Sequence, residues 1–140
     1  MAKFKYIHCD VYKRGVAVFI GDCEALNKWV GKFYSDPEEQ DLVEQVKQYC
    51  TSERYGSTGV AGSCYDSASG QWLIHLPTFS FTYDPVEITN LSHEVMHAAF
   101  GMLDFVGVEY RYGGSNEPYT YLHEYILKNA LREEGYKNVK

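Results

Sequence analysis

The chain has 140 residues, a formal net charge of −6 and 45% hydrophobic residues. This length predicts a single domain over residues 1–140, and the composition predicts a well-filled hydrophobic core. A nucleic-acid backbone is bound by a basic surface, so this acidic chain is not expected to take nucleic acid as a partner. The first residues form no apolar run of signal-peptide length, and no stretch is long enough to span a membrane. We therefore expect cytoplasmic synthesis and no membrane partner.

The first half of the chain shows apolar spacing that is typical of strands and amphipathic helices. Strands are predicted over residues 4–12, 15–20, 60–65 and 71–76, with turns at 13–15 and 66–70, and helices over 24–34 and 38–50. Residues 51–59 are polar and predict a loop. Strands that precede the long helices of the second half favour an α+β fold, with a small, mainly antiparallel sheet and helices packed on one face.

The stretch from residue 93 to residue 97 reads His-Glu-Val-Met-His. Histidines four residues apart project from the same side of a helix, so His93 and His97 can bind one zinc ion. Glu94 lies about 100° further round the helix, where it can reach a water molecule at the metal without being a ligand. This arrangement of two ligands and a general base is typical of zinc peptidases.

Signals on either side of the motif predict that it lies in the middle of a helix. Asp84 is a candidate N-cap, Pro85 suits the first helical position, and Glu87 completes a capping box with Asp84. Gly107 is a candidate helix stop. Apolar residues recur at helical spacing between these ends, at Ile88, Leu91, Val95, Ala98, Ala99 and Met102.

A zinc peptidase site needs a third protein ligand and an open position for water. Asp104 lies two turns beyond His97, about 10 Å along the helix axis, and is too far to reach the same ion. The metzincin pattern requires a glycine and then a histidine or aspartate after the motif, where this chain has Phe100 and Leu103. Glu117, twenty residues after His97, is the better candidate.

The motif and the segment Asn116-Glu117-Pro118-Tyr119-Thr120-Tyr121 together resemble the gluzincin metallopeptidases, of which thermolysin is the familiar member. With the segment 72–77, they also resemble short phage-encoded or bacterial gluzincin-like proteins. The resemblance covers residues 70–130 and implies a minimal zincin-like domain with a C-terminal ligand helix over residues 115–132. It implies zinc held by His93, His97 and Glu117, Glu94 as general base, and a peptide or protein substrate. A phage product of this kind would be able to leave the cell in a virion.

The resemblance also implies an exposed strand ahead of the metal helix that pairs with the extended substrate. Residues 72–76 are the candidate, and an ordinary core strand is the equally supported alternative. His75, within this strand, is expected to be a structural histidine and not a ligand. Thermolysin carries an aspartate where this chain has Tyr121, so the groups that support the metal ligands must differ. The donor that stabilises the transition state is left open between Tyr112, Tyr121 and His123.

Three functions follow from these residues. The first is a zinc metallopeptidase. The second is a catalytically inactive zincin-like module whose zinc site organises an interaction surface. The third is a helix pair that binds no metal. The four cysteines contain no Cys-x-x-Cys pair, which argues against a four-cysteine zinc site, and we expect free thiols that are mostly buried.

Overall fold

A computed structural model describes residues 1–51, 62–114 and 116–140 of the chain. The predicted loop at 51–59 lies outside the described residues apart from Thr51, which ends a helix. The first two residues of the strand predicted over 60–65, and Ser115 at the predicted start of the last helix, also lie outside them.

The described residues form an α+β fold with one five-stranded sheet, as predicted. Its strands are β1 (Lys3–Cys9), β2 (Arg14–Ile20), β3 (Ser63–Asp66), β4 (Trp72–Leu76) and β5 (Lys137–Asn138). Their spatial order is β3-β4-β2-β1-β5. Three neighbouring pairs are antiparallel and the central pair, β2 with β4, is parallel, so the sheet is mainly antiparallel.

Four α-helices accompany the sheet within the described residues. They are α1 (Cys23–Phe33), α2 (Gln40–Thr51), α3 (Pro85–Phe105) and α4 (Glu117–Leu131). The helices of the first half pack on one face of the sheet, as expected, and α3 and α4 cover the opposite face. None of the described helices has the length and apolar character that crossing a membrane requires.

The central strand β2 explains why the sheet needs helices on both faces. Val16, Val18 and Ile20 belong to the core shared with α3 and α4, whereas Ala17 and Phe19 belong to the core shared with α1 and α2. Successive side chains of a strand point to opposite faces, and here both sets are apolar. The sheet is therefore a buried middle layer, and α3 is held against it by its own apolar side.

Both predicted ends of α3 are confirmed, but one capping contact differs. The Asp84 carboxylate accepts hydrogen bonds from the backbone N–H groups of Val86 and Glu87, at 2.9 and 3.3 Å. Gly107 follows the helix with a φ of +85°, a left-handed conformation that glycine adopts without strain. The predicted capping box is wrong in one respect: Glu87 accepts from the backbone N–H and the hydroxyl of Ser80, both at 2.9 Å. Ser80, in the loop before the helix, therefore donates to Glu87 in place of the Asp84 backbone N–H.

The C-terminal residues form a short strand, β5, although their sequence is polar. Lys137 and Asn138 pair with β1, and the Val139 N–H donates to the Ala2 carbonyl at 2.9 Å. A two-residue strand is too short for apolar alternation, so its pairing with β1 could not be predicted from periodicity.

His75 is a structural histidine in β4, as expected. Its side chain is buried, and Nε2 lies 2.6 Å from the Gly21 carbonyl oxygen, so the neutral tautomer that donates from Nε2 fits the site. Nδ1 is buried and has no hydrogen-bond partner among the described residues. Burial lowers the pKa of the His75 imidazole, and the hydrogen bond to Gly21 opposes this effect. The neutral form of the His75 imidazole therefore fits this buried position in the strand.

This burial predicts a pH-dependent stability. Because the folded-state pKa of His75 is lowered, the unfolded chain binds more protons than the native protein just below pH 6.5. The contribution of His75 to stability should be complete above about pH 6.5 and should fall as the pH drops towards the folded-state pKa. Urea unfolding with a chelator present, at pH 5.0 and pH 7.5, measures the difference. A His75→Gln variant should show a smaller difference than the wild type, and an equal difference would contradict the prediction.

Candidate active site

The two histidines of the motif lie side by side in the middle of α3. Their Nε2 atoms are 3.2 Å apart, and both side chains are open to solvent. Two nitrogens that bind one zinc ion at about 2.0–2.1 Å in a tetrahedral arrangement lie about 3.3 Å from each other. The separation of the two Nε2 atoms is that of a hydrogen bond between the rings, and it is also compatible with a shared zinc ion.

Glu94 is buried beside this pair. Its side chain is 9% exposed, whereas that of His93 is 66% exposed, and Glu94 Oε1 lies 3.9 Å from His93 Nε2. Burial raises the pKa of the Glu94 carboxyl, and His93 and His97 partly oppose the rise. A carboxylate that is more basic than usual, placed next to two histidines, is suited to accept a proton from water.

Glu117 is the first residue of α4 and is exposed. Two residues later, Tyr119 packs on Phe100 with ring centroids 4.8 Å apart, so α4 begins next to the turn of α3 that follows His97. The described residues contain no group of three or more histidine, cysteine, aspartate or glutamate side chains placed to hold a metal ion. The structure thus brings His93 and His97 together without Glu117, and the third ligand stays a prediction.

The three candidate donors occupy different surroundings. Tyr112 is 95% exposed, and Tyr121 lines a groove together with the end of β1 and the turn that follows it. His123 lies against α3, where its Nε2 is 3.2 Å from the Ser92 hydroxyl. This contact places His123 against α3, but Ser92 and His93 are consecutive helix residues whose side chains point about 100° apart.

The prediction that residues 72–76 form the exposed strand is wrong. β4 lies between β2 and β3, so the alternative of a core strand is correct, and β3 is the outermost strand at that side of the described sheet. The run Trp72–Leu76 is apolar on both faces because helices cover both faces of this part of the sheet. The short and more polar β3 also contacts α3, next to β4.

A groove runs between β3 and α3. Cys64 and Asp66 line it from the strand, and Glu94, His97 and Gly101 line it from the helix. Beyond the last residues of the β3–β4 ladder, the Ser67 N–H donates to the Gln71 carbonyl, so residues 67 and 71 form a hydrogen-bonded pair of this antiparallel ladder. Pairs alternate along an antiparallel ladder, so the backbone groups of residues 64 and 66 point away from β4, towards the outer side of the sheet.

A second cleft adjoins the same two histidines. It has a volume of about 660 Å³ and is lined by His93, Met96, His97, Phe100, Gly101, Asp104, Tyr110 and Tyr119. His97 and Gly101 line both the groove and the cleft, which are therefore neighbours. A larger residue at position 101 would clash with Trp72, since a Cβ atom there would lie 2.6 Å from the indole nitrogen.

Most residues that line the cleft and the groove could not be assigned to the site from the sequence, among them Phe100 and Tyr110 of the cleft and Cys64 and Asp66 of the groove. A signal for Phe100 was present, because an aromatic residue three positions after His97 lies on the same helix face. The two β3 residues carried no such signal, since their importance depends on strand order.

The cysteines are free thiols, as expected, but they are less buried than expected. Cys9 is fully buried, whereas Cys23, Cys50 and Cys64 are half-buried. Burial, together with the nearby Glu94 and Asp66, raises the pKa of the Cys64 thiol, which keeps it protonated beside the groove.

Comparisons of the chain with models of protein families, with curated proteins and with solved structures found no match.

Proposed function

We propose that the protein is a zinc-dependent peptidase that hydrolyses peptide bonds with Glu94 as general base. The observation that carries the proposal is the placement of His93 and His97, with Nε2 atoms 3.2 Å apart, beside a buried carboxylate. The resemblance of residues 70–130 to gluzincins supports the same activity. Under this proposal His93, His97 and Glu117 hold the zinc.

A bound zinc ion would supply a lowered pKa for water and polarisation of the peptide carbonyl. Glu94 accepts the proton from the attacking water, because its buried carboxylate lies beside the two histidines, with Oε1 3.9 Å from His93 Nε2. The same carboxyl then delivers the proton to the leaving amine. The candidate donors for the developing oxyanion are Tyr112, Tyr121 and His123, and of these His123 contacts α3 at Ser92.

The substrate binds as an extended strand in the groove between β3 and α3. The Asp66 carbonyl already accepts a hydrogen bond from the Gln45 side chain at 2.9 Å, so the outward groups that an added strand would bond are the N–H and carbonyl of Cys64 and the N–H of Asp66. On the other side of the groove, Glu94 and His97 face the strand from α3. A peptide bonded to β3 therefore passes the proposed general base.

The test is cleavage of a peptide library and of casein by protein purified without a histidine tag, before and after loading with zinc. We expect about one zinc ion per chain and hydrolysis that a chelator abolishes and added zinc restores. Zinc without hydrolysis would favour the inactive zincin-like module, and the absence of both would favour the structural helix pair.

A further inference from the structure

We infer that the cleft next to His93 and His97 is a specificity pocket for a basic side chain, lysine or arginine, of the peptide substrate. The inference deepens the proposed function and rests on it for the peptide ligand and for the zinc at His93 and His97. It concerns the residues beyond the metal pair, Phe100, Asp104 and Tyr110, which the proposed hydrolysis does not use.

Aromatic rings form one wall of the cleft. Phe100, Tyr110 and Tyr119 contact one another, with ring centroids 4.8 to 5.6 Å apart. Tyr119 is buried and its hydroxyl donates to the Val108 carbonyl, which fixes the ring. Phe100 and Tyr110 are 39% and 47% exposed, so they offer open ring surface to a ligand. Aromatic faces attract cations as well as apolar groups.

Asp104 supplies the charge at the far end of the cleft. Its carboxylate is exposed and forms no ion pair or hydrogen bond with any described residue. No lysine or arginine lines the cleft, and the nearby Arg111 is held by Glu109 at 3.0 Å. A cation from a ligand would therefore meet an uncompensated negative charge.

The distance between the metal pair and Asp104 selects a long side chain. Asp104 is seven residues beyond His97 on the same helix, about 10 Å along the axis. A substrate residue whose backbone lies at His97 needs an extended side chain to place a charge near Asp104. Lysine and arginine combine that length with an apolar stem, which would lie along the aromatic wall.

The experiment compares two matched peptides, which differ only in arginine or its uncharged analogue citrulline at the central position between alanines. Binding is measured by fluorescence anisotropy with zinc-loaded Glu94→Gln protein, so that no cleavage interferes. Cleavage of both peptides is measured separately with the wild-type enzyme.

We expect the arginine peptide to bind about tenfold more tightly, the effect of one charge-assisted contact. Asp104→Asn should reduce that ratio to near one without changing zinc content. Glu44→Gln removes the same charge from α2 on the opposite face of the sheet, and it should leave the ratio intact.

Equal binding of the two peptides, or a preference that survives Asp104→Asn, would overturn the pocket assignment. Cleavage of both peptides at equal rates would do the same while leaving the peptidase proposal standing. A preference for arginine in binding without cleavage by the wild type would overturn the peptidase proposal and leave the pocket supported.

Discussion

Glu94→Gln should lower peptide hydrolysis by about 10²-fold or more while zinc occupancy stays near that of the wild type. Glutamine keeps the shape of the side chain but cannot accept the proton, and a positioned general base contributes a factor of this size. The structure adds a reason to expect that this substitution leaves the fold unchanged. Glu94 is buried between α3 and the chain at Gly62, where a neutral amide of the same size fits the same space.

The measurement is the cleavage rate of a fluorogenic peptide, combined with metal analysis of the same samples. Glu124→Gln, an exposed residue of α4, is a matched control that should retain activity. Loss of zinc in Glu94→Gln would show that Glu94 is a ligand or a support for the ligands, and the proposed role in water activation would be wrong.

Alanine at His93, His97 or Glu117 should each strongly lower zinc occupancy, because each variant removes one of three proposed protein ligands. The expectation is best supported for the two histidines, whose nitrogens are already 3.2 Å apart. For Glu117 it requires that the exposed carboxylate at the start of α4 reaches the ion when metal is present.

Asp104→Ala is the matched control, since Asp104 lines the same cleft as the histidines but lies about 10 Å beyond His97 along α3. Metal analysis of tag-free protein should give this variant the zinc content of the wild type. A variant series in which Asp104 is needed for zinc and Glu117 is not would reverse the assignment of the third ligand.

The helix α3 could be predicted from the sequence because its signals are local. Asp84 and Gly107 mark its ends, and helical spacing alone places His93 and His97 on one face. The four helices and the two hairpins were predicted from the same local signals, except that the first strand, predicted over residues 4–12, ends at Cys9 and residues 10–12 form a 3-10 helix. Short-range physics decides where these elements begin and end, so a single sequence is sufficient to predict them.

The order of the strands could not be predicted in this way. Residues 72–76 look alike whether they form an edge strand or a buried one, and the parallel pairing of β2 with β4 decides the matter. That pairing depends on how two covered faces pack, which is a long-range property of the chain. Whether Glu117 reaches the histidines could not be predicted for a related reason, since it depends on the position of α4 relative to α3.

Trp72, which packs closely on Gly101, is placed to report peptide binding through its fluorescence. Trp72 is buried, yet it lines the groove together with Glu94 and His97, so its indole borders the place where a peptide would lie. The second tryptophan, Trp29, stacks on Phe33 in the core on the other side of the sheet. A Trp29→Phe variant would keep Trp72 as its single tryptophan. The tryptophan fluorescence would then follow occupancy of the groove without a label on protein or peptide.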